Sequence, residues 1–412
     1  MSYRSTYTTV GLAAIVKRCR RGRMNRFGFP GKWNSAQRLM GIAAGRPIVG
    51  PQTVSLEITH HCNLRCVFCE SHGSLQALPI TARREYVGGR RTMDLATIER
   101  LVRSLTRIGG DLVELSGKGD PIAHPELAAV VRTIKQGGLR CALVTNATLA
   151  KPDLAPTLVE SRLDRLNVSL NAGSREVYLK VNGRDLWDKA VAFLEEVLAR
   201  RKAAGSELPW VRVSHVINRD NAGDLPAMID HACALGIDEI NFYVMAELPE
   251  TGDLQLREAE IGTVLQGIPG WSRKLESHGI AHDLGNLAKE LPLRARTGEA
   301  TAQDNPLQRK LPCYEAWMFC VIGPDGTVVP CCFCEEEKLG NIFDEDFDKI
   351  WWNARYRDLR RRMIEMPATG RWICGECFTT CSKAVLNQRI YNKIHPLQKV
   401  RVEAVAARAG GE

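Results

Sequence analysis

The chain has 412 residues, 44% of them hydrophobic and 25% charged, with 14 cysteines and a net charge of +9. At roughly 100–200 residues per domain this is two or three globular domains, which excludes collagen-like, disordered and small disulfide-scaffold classes. No run reaches the roughly 18 apolar residues of a membrane-spanning helix.

The charge is unevenly placed. The first 50 residues hold ten Arg or Lys and no Asp or Glu, a basic head on a nearly neutral body. The short apolar stretch Val10–Val16 precedes all of those charges but Arg4, the reverse of a secretory signal; an Arg-rich, acid-free start also fits a mitochondrial transit peptide. Without a secretory signal the cysteines are read as reduced thiols and the protein as cytoplasmic. Phe27, Phe29 and Trp33 are the only aromatics interleaved with the charges from Lys17 to Arg46, too few for a nucleic-acid stacking platform. The head reads as a solvated arm, or as a surface that steers an acidic reductant or meets an anionic surface.

The body alternates short apolar strands with helical patterns. Strands are predicted over about 52–58, 111–116, 139–145, 165–170, 210–217 and 238–245. Helices are predicted over about 94–108, 124–136, 153–161, 185–203, 222–235 and 256–279, the first with Asp94 as N-cap and Gly109-Gly110 at its end. Six βα units imply a parallel sheet, open or curled into a partial barrel, with chemistry at the carboxyl ends of the strands.

The first of those ends carries Cys62, Cys66 and Cys69 in C-x3-C-x2-C spacing. Three thiolates can hold three irons of a [4Fe–4S] cube and leave the fourth open. The competing reading is structural zinc, with His60, His61 or His72 as fourth ligand.

The run Cys62-Asn-Leu-Arg-Cys-Val-Phe-Cys69 resembles the cluster motif of radical SAM enzymes, and the resemblance extends over about residues 50–385. It implies a (βα)6 TIM-like partial barrel whose open iron binds S-adenosylmethionine, reductively cleaved to a 5′-deoxyadenosyl radical, with Phe68 near the adenine. Ser116-Gly117-Lys118-Gly119-Asp120-Pro121 resembles the family's GGEP segment, with Lys118 for its second Gly and Asp120 for its Glu. Asn146 falls in the segment similar to the family's TNG, and Ser169 and Asn171 in the strand-four segment whose polar residues touch the ribose. The resemblance implies cofactor contacts for Phe68, Gly117, Lys118, Gly119, Asp120, Asn146, Ser169 and Asn171.

The remaining cysteines cluster late. Cys313 and Cys331 flank a hairpin with a Pro324-Asp325-Gly326 turn, and Cys374-Gly-Glu-Cys377 follows. This resembles the SPASM or twitch auxiliary-cluster module and implies that Cys313, Cys331, Cys374 and Cys377 ligate one auxiliary [4Fe–4S]. Cys320, Cys332, Cys334 and Cys381 are either packing thiols or the makings of a second cluster; Cys334 is the pick for a hydrogen-atom donor. Glu247, after the sixth strand, is the expected proton acceptor, with Glu70 and His72 as competitors.

The expected division is a basic arm and helix (1–50), a radical SAM core (51–250), a final helix and connector (251–312), an auxiliary-cluster domain (313–385) and a tail (386–412). The expected activity is dehydrogenation or epimerisation of a sugar- or aminocyclitol-like small molecule, fed by a flavodoxin- or ferredoxin-type reductant. Maturation of a ribosomal peptide and adenosylation of a lipid-linked substrate are the alternatives.

Overall fold

The computed structural model describes residues 32–73, 91–245, 249–295, 311–370, 373 and 384–396. Helix α1 (Lys32–Ala43) leads into strand β1 (Thr53–Leu56). Arg38, 2% exposed, fastens that entry, its guanidinium donating to the carbonyls of Gly50 (2.9 Å), Pro51 (3.0 Å) and Gly109 (2.9 Å).

Helices and strands then alternate as α2 (Leu95–Arg107), β2 (Leu112–Leu115), α3 (Leu127–Gln136), β3 (Arg140–Thr145), α4 (Leu154–Glu160) and β4 (Arg165–Ser169). After these come α5 (Arg175–Asn182), α6 (Trp187–Ala203), β5 (Trp210–Ile217), α7 (Leu225–Leu235), β6 (Glu239–Val244), α8 (Glu258–Ser277), β7 (Ala281–His282) and α9 (Leu284–Ala295). Local chemistry sets the boundaries: the Asp94 carboxylate accepts from Thr97 N at 2.8 Å at the start of α2, and left-handed Gly183 and Gly236 end α5 and α7.

All six expected strands form within one or two residues of their predicted ends. The sheet also runs further than expected. The last segment contributes α10 (Glu315–Met318), β8 (Phe319–Ile322), β9 (Thr327–Val329), β10 (Gly340–Asn341), α11 (Phe347–Trp352), α12 (Ala354–Thr369) and α13 (Ala384–Ile394). The expected hairpin is β8–β9, and β8 lies parallel to β1 with Thr53 opposite Phe319. One ten-stranded sheet results, ordered β10-β9-β8-β1-β2-β3-β4-β5-β6-β7. Pairing of β1 on both sides satisfies backbone groups that an edge strand would leave open.

Register decides what each face offers. One face carries Leu56, Leu115, Leu143, Leu166 and Val211, all buried in the hydrophobic core with the helices. The alternate rows carry Ser55, Glu114 and Arg165, then Asn167, Arg212 and Glu239, then Ser169, Ser214 and Asn241. Helices cover the apolar face, so the polar rows line the inside of a partial (βα)6 barrel, with the hairpin and helices of the C-terminal segment at its β1 side.

Candidate active site

The loop after β1 holds Cys62, Cys66 and Cys69, each partly exposed, and three neighbours grip it. The end of α5 accepts two backbone bonds, from Arg65 N to Asn182 O (3.1 Å) and from Val67 N to Val181 O (2.9 Å). The loop after β2 donates from Asp120 N to His61 O at 2.9 Å. The loop after β3 meets Asn63, through Asn146 Nδ2 (3.2 Å) and through the Thr148 hydroxyl (2.9 Å).

These approaches require glycine. A Cβ on Gly119 would stand 2.4 Å from Thr59 O, one on Gly117 2.4 Å from Glu57 Cγ, and one on Gly73 1.9 Å from Cys66 O. Gly117 is also left-handed, with φ +137°. Gly119 is therefore dictated by close approach to the backbone of Thr59 and His60, and Gly117 by its positive φ and the Glu57 side chain packed against it.

Each sulfur has a polar neighbour: Asn146 Nδ2 donates to Cys62 Sγ (3.8 Å), Cys66 Sγ donates to Asn182 Oδ1 (3.3 Å), and His72 N donates to Cys69 Sγ (3.4 Å). Burial pushes the Cys62 thiol up to about 11 and the Cys66 thiol higher still. Buried thiols of this kind ionise when a metal cation takes the place of the proton. Three thiols on one loop, with N–H donors aimed at two of them, are a donor set that fits an iron–sulfur cluster. Among the described residues no three His, Cys, Asp or Glu side chains converge on a single-ion site. The His72 ring is instead turned to the backbones of His60 and Lys118.

Asp120 and Asn171 are occupied within the protein. The buried Asp120 carboxylate accepts from the Thr145 hydroxyl (2.6 Å), Asn146 N (2.6 Å) and Ile122 N (3.0 Å), locking the loops after β2 and β3 together. Asn171, left-handed at φ +62°, accepts from Val216 N (3.0 Å) and donates to Asn182 Oδ1 (3.0 Å). Both tie together segments that border the cysteine loop. Phe68 and Ser169 are half-buried, at the cluster loop and at the carboxyl end of β4.

Lys118 departs furthest from the motif it resembles. Its Nζ stands 2.8 Å from Glu335 Oε2, so the loop after β2 is ion-paired to the segment that follows Cys334. Of the late cysteines, Cys313 and Cys331 are partly exposed, Cys332 is exposed, and Cys334 is 2% exposed with its N–H on Cys331 O at 3.1 Å. The Cys332 side chain, with burial, pushes the Cys331 thiol up. Cys320 is fully buried between Tyr356 and Arg360, a packing position. Cys374, Cys377, Cys381 and Glu247 lie outside the described residues.

Deeper in the barrel the inward rows are charged and paired. Arg165 meets Glu114 at 3.0 Å; Arg212 meets Glu239 at 2.7 Å, and Glu239 also accepts from Trp210 Nε1 at 3.0 Å. Toward the mouth stand Ser214, Asn241 and the 46%-exposed Tyr243. Sequence reasoning named none of these. The signal was present, since polar residues alternate along much of β4, β5 and β6, but only register shows that the polar rows of separate strands align.

Comparison with known proteins agrees with this geometry. The profile of the radical SAM superfamily matches residues 56–232, and that of SPASM, an iron–sulfur cluster-binding domain, matches 313–379. A probable GTP 3′,8-cyclase of Saccharolobus islandicus is 31% identical over 198 residues, 48% of this chain and 57% of the relative. One of Pyrococcus abyssi is 32% identical over 152 residues, 37% of this chain and 44% of the relative. The chain thus spans about half the length of the curated relatives it matches. Among solved structures, Streptococcus suis SuiB bound to S-adenosylmethionine superposes with a TM-score of 0.58 at 14% identity, covering 84% of this chain and 77% of that one. The structure described as anSMEcpe with bound AdoMet gives 0.55 at 17% identity, covering 84% and 96%. Cysteine loop, barrel and late hairpin together make this chain a member of the radical SAM superfamily with a C-terminal SPASM domain.

Proposed function

We propose that this protein is a radical SAM oxidoreductase or epimerase acting on a polar small molecule, sugar- or aminocyclitol-like. The observation that carries the reading is the inward face of the barrel, where paired Glu114–Arg165 and Arg212–Glu239 lie below Ser214, Asn241 and Tyr243. A surface of fixed charges and hydroxyl or amide groups recognises a ligand rich in hydrogen-bonding groups and offers little to an aliphatic chain, which cannot replace the water that such groups bind.

In this reading Cys62, Cys66 and Cys69 ligate the cluster, and Gly117, Gly119, Asn146, Ser169 and Phe68 surround S-adenosylmethionine. When bound, these groups supply a 5′-deoxyadenosyl radical that removes a hydrogen atom from the substrate. Asp120 and Asn171 hold the surrounding loops in place. Cys313, Cys331, Cys374 and Cys377 hold an auxiliary cluster able to take the electron left on the substrate. Glu247 accepts the proton in a dehydrogenation, whereas an epimerisation needs Cys334 as hydrogen donor. The protein works in the cytoplasm, where residues 1–50 meet an acidic flavodoxin- or ferredoxin-type reductant.

The test is anaerobic reconstitution, reduction and addition of S-adenosylmethionine. The expected result is 5′-deoxyadenosine, lost in Cys62→Ala together with one four-iron EPR signal, and about eight irons per chain rather than about twelve. Deuterium transfer from labelled aminocyclitols or sugars into 5′-deoxyadenosine supports the substrate class. Transfer only from a ribosomal precursor peptide would instead establish the peptide reading.

A further inference from the structure

Lys118 is the one charged side chain between Ser116 and Gly119 in the loop after β2, and the backbone on either side of it is held firmly. Gly117 is packed against Glu57, and Gly119 against Thr59 and His60. Asp120 N donates to His61 O at 2.9 Å, one residue before Cys62, and the Asp120 carboxylate binds Thr145 and Asn146 in the loop after β3. From this fixed base the Lys118 ammonium meets Glu335 Oε2 at 2.8 Å, the two side chains 17% and 30% exposed. A pair so sheltered is screened by salt less than a surface pair. Loss of either member leaves the other charge half-buried and uncompensated.

Glu335 leads directly to the late cysteines. It lies in the connection between β9 and β10, next to Cys334, whose N–H donates to Cys331 O at 3.1 Å. Two residues on, the Glu337 carboxylate accepts both arms of the Arg362 guanidinium, at 2.8 and 2.7 Å. The residue after Arg362 on α12 is Met363, whose carbonyl accepts from Cys313 N at 3.3 Å. Cys313 and Cys331 are therefore both tied to the stretch of chain that Lys118 grips. A second bridge joins the same two regions of the protein elsewhere. Arg107 of α2 meets Asp348 of α11 at 2.9 Å, with no link to either set of cysteines in these contacts.

We propose that Lys118 is a positioning residue of the late cysteine site: from the rigid loop after β2 it holds Glu335, and so fixes the connection that carries Cys331 and Cys334 relative to the loop of Cys62. The resembled motif has glycine at this position, which could make no such reach. Lys118 acts here through Glu335 and takes no part in hydrogen abstraction. The inference rests on the reading that Cys331 belongs to an auxiliary cluster, as proposed above.

The experiment combines amide hydrogen exchange and EPR on the full-length, anaerobically reconstituted holoenzyme. Lys118→Met keeps the length of the side chain and removes its charge. It is expected to speed exchange over residues 331–339 roughly fivefold, the loss of about 1 kcal/mol of local protection. It should also alter the line shape of the four-iron signal that does not respond to S-adenosylmethionine, with iron content unchanged. Lys118→Arg, and the exchanged pair Lys118→Glu with Glu335→Lys, are expected to restore both. Arg107→Met breaks the other bridge and is expected to change neither. Unmoved exchange over 331–339 in Lys118→Met overturns the inference, as does failure of the exchanged pair to restore it or an equal effect of Arg107→Met. A change confined to the S-adenosylmethionine-responsive signal also overturns it, since the hold would then act on the opposite loop. Should Lys118→Met not accumulate, Glu335→Gln removes the same pair from its more exposed side and is judged by the same outcomes. A holoenzyme with about four irons per chain overturns the auxiliary-cluster reading and the inference with it, a result distinct from unmoved exchange.

Discussion

His215 illustrates how one side chain can set the acid behaviour of a fold. It sits on the helix-covered face of β5, 1% exposed, stacked on Phe242 at 5.6 Å, with neither ring nitrogen hydrogen-bonded among the described residues. Burial first, and His231 second, lower its pKa to about 3. A depressed histidine pKa gives stability that is complete above the ordinary value of 6.5. On acidification the unfolded chain takes the proton first, so stability falls by roughly 1.4 kcal/mol per pH unit down to about pH 3. His215→Leu is expected to raise the unfolding free energy at pH 7 by about 1–3 kcal/mol, by removing unpaired polar atoms. It should also flatten the loss between pH 6.5 and 4.5 in urea titrations. An unchanged pH slope would show that other groups govern acid unfolding.

At the scale of elements, the loop between β4 and α5 shows how tightly the cluster-side loops are tied. Asp224, at the start of α7, accepts from Gly173 N (2.6 Å), Ser174 N (3.1 Å) and the Ser174 hydroxyl (3.0 Å). Gly173 lies so close to α7 that a Cβ there would stand 2.1 Å from Met228 N. Neither backbone can yield without moving a helix. Gly173→Ala is therefore expected to destabilise by at least about 2 kcal/mol, read as a lower midpoint in chemical denaturation. A shift under a few tenths would mean the loop relaxes freely. The eight-residue α5 was not legible in the sequence. A segment that short carries barely two turns of periodicity, and its function depends on what its end touches.

Across the whole molecule, the two profile-matched regions are sewn together. Besides the β8–β1 pairing, Arg107 meets Asp348 (2.9 Å), Ser104 meets Asp348 (3.1 Å), Trp351 Nε1 donates to Val49 O (3.1 Å) and Lys118 pairs with Glu335. Buried Arg360 packs its guanidinium over Trp351 at 4.5 Å and Tyr356 at 4.4 Å within the same unit. Shared sheet and shared core predict one cooperative transition in calorimetry of the holoprotein under anaerobic conditions. Two resolved transitions would show that the late hairpin melts by itself.

Sequence by itself determined the strand positions, the cysteine loop after β1 and the late hairpin, because period-2 apolarity, thiol spacing and Pro-Asp-Gly turns are local signals. It also marked Lys118 and Asp120 as departures from a known motif. Only the tertiary structure decided what those departures do: Asp120 locks two loops, and Lys118 reaches Glu335 in the segment after the late hairpin. The charged barrel interior and the pairing of β8 with β1 likewise depend on registers and contacts between distant segments. Spacing within one stretch of chain carries no record of which other stretch will lie against it.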